Sequence, residues 1–167
     1  MTPLSFEEGR AAGYTHDMSA GGVLIERVSE VTDELMAIMA RLLPQLSSTA
    51  VPPDRAALEG VVSSPSSSLF VARLDSRPDE IVGTITLVIY GIPSGLHAVI
   101  EDVIVDESAR GHGVGSALVS EAVEIARSRG ARHVNLTSRS ARVAANRLYQ
   151  KAGFSVRDTN VYRLDLS

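Results

Sequence analysis

Three glycines stand at every second position behind an arginine in the segment RGHGVG, residues 110–115. The segment follows an apolar run that ends at Val105, and helical periodicity begins within it at Val114. The first turn of a helix has unpaired N–H groups and the positive end of the helix dipole, and glycine lets phosphate oxygens approach the backbone. Arg110 adds a fork of donors. The spacing predicts a phosphate site, and a tight glycine-rich turn against a sheet is the alternative.

Two common nucleotide-binding motifs do not fit this segment. A dinucleotide fold uses Gly-x-Gly-x-x-Gly and an acidic residue roughly 20 positions further on, whereas this chain has Gly-x-Gly-x-Gly followed by a strand that ends in NLTSR. A nucleoside-triphosphate loop requires Gly-Lys-Ser or Gly-Lys-Thr, and the corresponding residues here are VGSA. The phosphate would therefore belong to another ligand.

Two adjacent carboxylates, Glu101 and Asp102, interrupt the apolar strand HAVIEDVIV at residues 97–105. A carboxylate in a strand of this kind meets a polar partner, reaches a wet cleft or has a raised pKa, so both are candidate general bases. A salt bridge is the alternative for each. Strict alternation predicts Val99, Glu101, Val103 and Val105 on one face, and Ala98, Ile100, Asp102 and Ile104 on the other. His97 opens the Glu101 face and could relay a proton.

The remaining patterns predict the elements that position these residues. Strands are expected at 23–29, 69–74, 80–90, 97–105, 132–138, 154–158 and 161–166, and helices at about 32–46, 53–62, 114–130 and 141–152. Ser140 is expected to cap the last helix and Gly153 to end it. Short turns favour antiparallel neighbours, and the strand–helix–strand unit around the glycines requires a parallel pair. We predict an α/β (α+β) fold with a mixed, mostly antiparallel sheet of about seven strands and helices on both faces.

Composition limits the classes of protein and partner. The chain of 167 residues is 44% apolar and 22% charged, so we expect one globular domain over 23–167, preceded by a disordered arm over 1–22. No apolar run is long enough for a membrane span, and a net charge of −4 does not favour nucleic acid. Without cysteine and with widely separated histidines, we expect no metal. We expect a cytoplasmic monomer or homodimer with no nucleic-acid or membrane partner.

Two motifs together carry a resemblance to a known family. The chain resembles the acetyl-CoA-binding core of the GNAT superfamily of N-acetyltransferases in two segments. The first is Val-Ile-Val at 103–105, followed five residues later by Arg110, the glycines and a helix. The second is AANRLYQKAGF at 144–154. The resemblance implies a GNAT-like fold with acetyl-CoA as cosubstrate, and backbone pairing of Val103, Ile104 and Val105 with the pantetheine arm. It also implies that the pyrophosphate is held by Arg110, Gly111, His112, Gly113, Val114, Gly115 and Ser116.

The resemblance also implies catalytic roles. A tyrosine at the place of Tyr149 commonly protonates the departing CoA thiolate in this superfamily, and Asn146 would contact the cofactor; amphipathic packing is the alternative for this helix. Glu101 would accept the proton of the amine, although other members carry the acid where this chain has Val99. IEDV, residues 100–103, resembles a segment of glucosamine-phosphate acetyltransferases that touches substrate and cofactor.

The reaction implied is direct transfer of the acetyl group from acetyl-CoA to a primary amine of a small molecule or peptide. Two other classes of protein stay open at this point. One is a non-catalytic acyl-CoA-binding sensor, and the other is a nucleotide-dependent oxidoreductase with an irregular loop.

Overall fold

A computed structural model describes residues 14–20, 22–47 and 49–166 of the chain. They fall into two compact units, Met1–Thr137 and Ser138–Ser167. The first unit contains strands β1 to β6 and helices α1 to α3, and the second contains helix α4. The strands are β1 (Tyr14–Ala20), β2 (Val23–Val28), β3 (Ser67–Leu74), β4 (Arg77–Ile92), β5 (Gly95–Val105) and β6 (Val134–Asn135), and the helices are α1 (Asp33–Leu46), α2 (Arg55–Ser63), α3 (Val114–Ser128) and α4 (Val143–Lys151).

The strands form one mixed sheet in chain order, from β1 to β6. Each of the first four neighbouring pairs is antiparallel: three are joined by short turns, and the connection between β2 and β3 contains α1 and α2. β5 and β6 are parallel because α3 crosses between them. The ladder between β5 and β6 contains only the pairs Ala98 with Val134 and Val99 with Asn135. The mixed, mostly antiparallel sheet that the sequence predicts is therefore present.

The strand count differs from the predicted seven at both ends of the chain. Residues 14–20, which were expected to belong to a disordered arm, form β1 against β2, and residues 1–13 lie outside the described residues. The prediction of strands at 154–158 and 161–166 is wrong. In the described part of the second unit, these residues have no regular secondary structure, and their side chains are mostly exposed. The described sheet therefore has six strands. Alternation in VYRLDL indicates a strand only where a neighbouring strand can pair with the backbone.

Helices α1 and α2 cover one face of the sheet. Thr32 caps α1 by accepting a hydrogen bond from the N–H of Leu35 at 3.1 Å, and Asp54 caps α2 through the N–H of Ala57 at 2.8 Å. The apolar side of α1 packs on β3, β4 and β5. The buried cluster consists of Val28, Leu35, Ile38, Met39, Leu42, Leu58, Leu69, Val71, Ile81 and Ile104.

Helix α3 packs against the opposite face at very short range. A Cβ atom at Gly83 of β4 would lie 2.8 Å from Val114 Cγ1, 3.1 Å from Leu118 Cδ1 and 3.1 Å from the carbonyl oxygen of Ile104. Only glycine fits there, because contacts under 3.0 Å are sterically forbidden to real side chains. Gly83 thus fixes how close the first two turns of α3 come to the sheet.

Among the described residues, no helix combines the length and the apolar character that a membrane span requires.

Candidate functional site

The glycine loop, residues 110–115, adopts a backbone that requires glycine at two positions. Gly111 and Gly113 have φ angles of +83° and +82°, in the left-handed region that side chains with a Cβ rarely enter. Gly113 is also the residue that precedes α3, and its carbonyl accepts the helical hydrogen bond from Ala117 at 3.0 Å. A Cβ atom at either glycine would meet nothing within 4 Å. The backbone conformation of the loop, and not close packing, therefore requires glycine at these two positions. The missing side chains leave open space beside the amides at the start of α3.

Side chains of the glycine loop stay mostly at its surface. Arg110 is exposed and forms an ion pair with Glu107 at 3.5 Å, a surface contact of small energy that an incoming anion could replace. His112 Nδ1 is 3.1 Å from the carbonyl oxygen of Arg110, so its ring is tied back to the loop. Val114 and Gly115 are buried, and Ser116 is exposed. The residues expected to hold a pyrophosphate are therefore contiguous at one helix start.

A residue that sequence reasoning missed holds the turn ahead of this loop. Asp106 is 5% exposed, and its Oδ1 accepts a hydrogen bond from Ser108 N–H at 2.9 Å, which caps the short 3₁₀ turn of Glu107–Ala109. The backbone N–H of Asp106 still donates to Val82 of β4 at 2.8 Å. The sequence does contain a signal for this role: an aspartate that directly follows a strand often accepts a hydrogen bond from the backbone N–H two residues later.

β5 carries a bulge beside the two carboxylates. Asp102 has a φ of +48°, and in the chain that the structure describes it is the one residue other than glycine with a positive φ. The register with β4 shifts there. The predicted strict alternation is therefore wrong beyond Glu101: Ile104 lies on the same face as Glu101 and joins the core under α1, whereas Val105, opposite Gly83, lies on the α3 face.

Glu101 is on the face of the sheet that carries α1 and α2, since it pairs with Thr86 of β4. Glu101 is exposed, so of the predicted alternatives it is one that reaches water. Partial desolvation, and then the negative charge of neighbouring Asp102, raise the pKa of Glu101 above the ordinary glutamate value. A carboxyl with such a pKa holds a proton more readily than an ordinary surface glutamate, as a general base must.

His97 and His133 lie side by side on that same face. Their ring centroids are 4.3 Å apart in an edge-on arrangement, and Tyr90, opposite His97 on β4, lies 6.0 Å from it. His97 Nε2 is 3.4 Å from the hydroxyl of Ser94. No group of three or more His, Cys, Asp or Glu side chains that could hold a metal ion occurs in the described ranges.

In the second unit, Tyr149 and Asn146 lie on α4. The helix begins at Val143, two residues later than the sequence predicts, and neither Ser140 nor any other side chain caps its start. Asn146 Nδ2 donates to the carbonyl oxygen of Arg139, in the segment before the helix, at 3.0 Å. Desolvation raises the pKa of the Tyr149 phenol, and the positive charge of Arg142 opposes that rise. The predicted end at Gly153 is confirmed: its φ is +92°, and Phe154 N–H donates to the Tyr149 carbonyl oxygen at 3.0 Å.

The predicted residues thus form three groups. The glycine loop gathers Arg110 to Ser116, β5 carries Glu101 and Val103 to Val105, and α4 carries Asn146 and Tyr149. The first two groups belong to the first unit and the third to the second unit. Taken by itself, the first unit supplies backbone amides at a helix start and a carboxyl group, and the second unit supplies a phenol; acyl-transfer enzymes use groups of these kinds.

Comparisons with known proteins give the same class. A family model described as the acetyltransferase (GNAT) family matches residues 32–154. The chain therefore belongs to the GNAT acetyltransferase family, whose members use acetyl-CoA, and it is an acyltransferase.

Three similar proteins show how far the likeness extends. Over 67 residues the chain is 43% identical to a glucosamine 6-phosphate N-acetyltransferase of Trypanosoma brucei brucei; the match covers 40% of this chain and 43% of that protein, so it spans less than half of the relative. A structure described as a transcriptional regulator from Bacillus halodurans has a TM-score of 0.72 and 26% identity, and covers 86% of this chain and 99% of that one. An aminoglycoside acetyltransferase from an uncultured soil metagenomic sample, in complex with trehalose, has a TM-score of 0.73 and 21% identity, with 87% and 97% covered.

Proposed function

We propose that the protein transfers the acetyl group of acetyl-CoA directly to a primary amine of a small molecule or peptide. The observation that carries the proposal is the helix start at Gly113, where two left-handed glycines leave the amides beside open space. Amides arranged in this way, with the positive end of the α3 dipole behind them, fit the pyrophosphate of CoA. Arg110 adds a guanidinium within the same loop.

The backbone of β5 fits the pantetheine arm. The ladder to β6 includes only Ala98 and Val99 of this strand, so β6 does not pair with the segment from Val103 to Val105. An extended arm with amide groups could pair with this segment as an added strand would. A backbone N–H in this part of β5 is also suited to polarise the thioester carbonyl.

Two side chains move the protons of the reaction. Glu101 accepts a proton from the attacking ammonium or amine, directly or through water, and its raised pKa suits this task. The amine nitrogen then forms its bond to the acetyl carbon, and the carbon–sulfur bond breaks. Tyr149, a phenol that is protonated at neutral pH, gives its proton to the departing sulfur.

Amino sugars are the first acceptors to examine. The curated relative is by name a glucosamine 6-phosphate N-acetyltransferase, and one structural neighbour is an aminoglycoside acetyltransferase. Polyamines and peptides with free N-termini complete the panel, because residues 43–65 and 91–96, which we expect to line the acceptor site, carry no residue diagnostic of one amine.

The test is amine-dependent release of CoA thiol, with the acetylated product identified by mass spectrometry. An acceptor that raises thiol release above the rate in its absence, and that gains one acetyl group, supports the proposal. Tight acetyl-CoA binding with no acceptor-dependent release across the panel would instead indicate an acyl-CoA-binding sensor.

A further inference from the structure

The buried Asp106 is tied to a helix far away in the sequence. Arg41 of α1 donates through Nη1 to Asp106 Oδ2, and through Nη2 to the carbonyl oxygen of Ile81 at 3.0 Å. A guanidinium suits this bridge, because its planar fork can bind a carboxylate and a carbonyl at once. Arg41 thus fastens the end of β5 to both α1 and β4.

The next two residues of the turn are also held by side chains from outside it. Gln45, one turn after Arg41 on α1, accepts a hydrogen bond from the Glu107 N–H at 3.1 Å. Arg77, at the start of β4, donates to the hydroxyl and the carbonyl oxygen of Ser108 at 3.2 and 3.3 Å. We call residues 106–109 the Asp106 turn; three of its four residues are held in this way.

The Asp106 turn leads directly into the glycine loop. Ala109 N–H donates to the Asp106 carbonyl oxygen at 2.9 Å, and His112 N–H donates to the Ala109 carbonyl oxygen at 3.4 Å. Gly111 and Gly113 contribute no side chain that could fix the loop by packing, since nothing lies within 4 Å of a Cβ at either position. The position of the loop amides therefore depends on the packing of α3 at one end of the loop and on how firmly the Asp106 turn is held at the other.

We propose that Arg41 is a positioning residue for the cofactor: through Asp106 it holds the turn that places the amides of the glycine loop. The inference rests on the proposed function, because it assumes that this loop binds acetyl-CoA. Arg41 would touch neither the cofactor nor the acceptor. Helix α1, which precedes the glycine loop by more than 60 residues, would then set the affinity for the cofactor, since small displacements of ligand-binding groups are costly.

Arg55 provides a matched control for Arg41. It too donates to a carboxylate, Asp33, and to one backbone carbonyl, that of Val31 at 2.6 Å. Arg41 differs in having a second ion-pair partner, Glu80, at 3.6 Å. The side chains of Arg41 and Arg55 are similarly exposed, at 40% and 44%. These contacts of Arg55 lie at the start of α1, away from the Asp106 turn, so its loss should affect the fold locally and leave the cofactor site unchanged.

The experiment compares the dissociation constant for acetyl-CoA, KM and kcat in Arg41→Met, Arg41→Lys and Arg55→Met. We expect Arg41→Met to raise the dissociation constant and KM for acetyl-CoA on the order of tenfold, with kcat at saturation within about twofold of the parent. Arg41→Lys keeps the charge but loses the fork, so it should fall between the two. Arg55→Met should bind acetyl-CoA as the parent does. If Arg41→Met and Arg55→Met bind acetyl-CoA equally, the proposal is wrong.

Hydrogen exchange provides a readout that does not require turnover. In Arg41→Met, the amides of residues 107–113 should exchange faster than in Arg55→Met, and unchanged exchange there would overturn the inference. If Arg41→Met does not fold, Asp106→Asn, which keeps the acceptor for Ser108 N–H, should show the same change in a weaker form.

Failure of the proposed function looks different: the parent itself would show no affinity for acetyl-CoA, and the inference would fall with it. A parent that binds acetyl-CoA, with a Gly113→Val variant that does not, leaves the comparison of Arg41 and Arg55 as the deciding result.

Discussion

Glu101 of β5 stands opposite Thr86 of β4, and the next pair of the ladder joins Ile104 to Thr84. β5 therefore contains two residues where β4 contains one, and the extra residue is accommodated by the positive φ of Asp102. The two carboxylates, which are adjacent in sequence, therefore lie at the point where the strand is irregular. The proposed base ends the regular part of the ladder, and its charged neighbour is the bulged residue.

Replacing Glu101 by Gln should lower the maximal rate and remove the acidic limb of the pH–rate profile. Glutamine keeps the shape but cannot accept a proton. Because the pKa of Glu101 is raised, the parent should lose activity, as pH falls, at a higher pH than an ordinary glutamate would dictate. Affinity for acetyl-CoA should change little. An acidic limb that persists in Glu101→Gln would exclude Glu101 as the base.

Replacing Asp102 by Asn should move that acidic limb to lower pH. The substitution removes the negative charge that contributes to the raised pKa of Glu101, so the carboxylate ionises more easily. Asparagine tolerates a positive φ about as well as aspartate, which keeps the bulge intact. The measurement is the pH dependence of kcat/KM. Loss of all activity in this variant would instead make Asp102 the base.

Tyr149→Phe should separate binding from rate. Only the hydroxyl is removed, so acetyl-CoA should still bind, while turnover should fall by about 10²-fold, as is usual when a general acid is lost. Tyr162→Phe is the control, because Tyr162 is 88% exposed in the same unit. Calorimetric titration with acetyl-CoA and steady-state kinetics check the two halves of this prediction. Equal turnover in the parent and Tyr149→Phe would assign the tyrosine to packing.

Gly113→Val should nearly abolish affinity for CoA. A Cβ at Gly113 has open space, so the damage comes from the φ of +82° and from branched carbons in the space left for phosphate oxygens. Gly130→Val isolates the first effect, since Gly130 has a φ of +79° with nothing within 4 Å of its Cβ, and lies after α3. Both variants should lose stability, and only Gly113→Val should lose CoA. Unchanged affinity in a folded Gly113→Val protein would remove the cofactor assignment.

Arg73→Met should destabilise the first unit without affecting cofactor binding. Arg73 is 6% exposed and donates to Glu34 at 2.9 and 3.0 Å and to Glu26 at 3.0 Å. Removing one side of a buried ion pair typically costs about 3–5 kcal/mol, because the remaining charges keep their desolvation penalty. Urea denaturation measures the free energy of unfolding. A loss below about 1 kcal/mol would show that water replaces the guanidinium.

Local sequence signals predicted the parts of the fold that depend on neighbouring residues. Thr32 marked the start of α1, Gly153 ended α4, and the glycines identified the start of α3. The bulge at Asp102 could not be predicted, because an αL aspartate in a strand depends on the register with β4 and leaves no mark in the hydrophobic pattern. Asp106 was missed for a similar reason: its partner Arg41 is distant in sequence. Ser140 looked like a helix cap, yet the start of α4 has no side-chain cap, and Asn146 Nδ2 only ties the helix to the carbonyl oxygen of Arg139 in the preceding segment.

The absence of a side chain at Gly83 also limits how the protein can evolve. Every single-base change of a glycine codon that alters the residue introduces a Cβ, and any Cβ here would push against Val114 and Leu118 at the start of α3. Such a change would lift the very turn whose amides are proposed to hold the cofactor. Variants with new acceptor preferences should therefore arise elsewhere, in the hairpin between β4 and β5 and in the connection between α1 and α2, while position 83 remains fixed under selection.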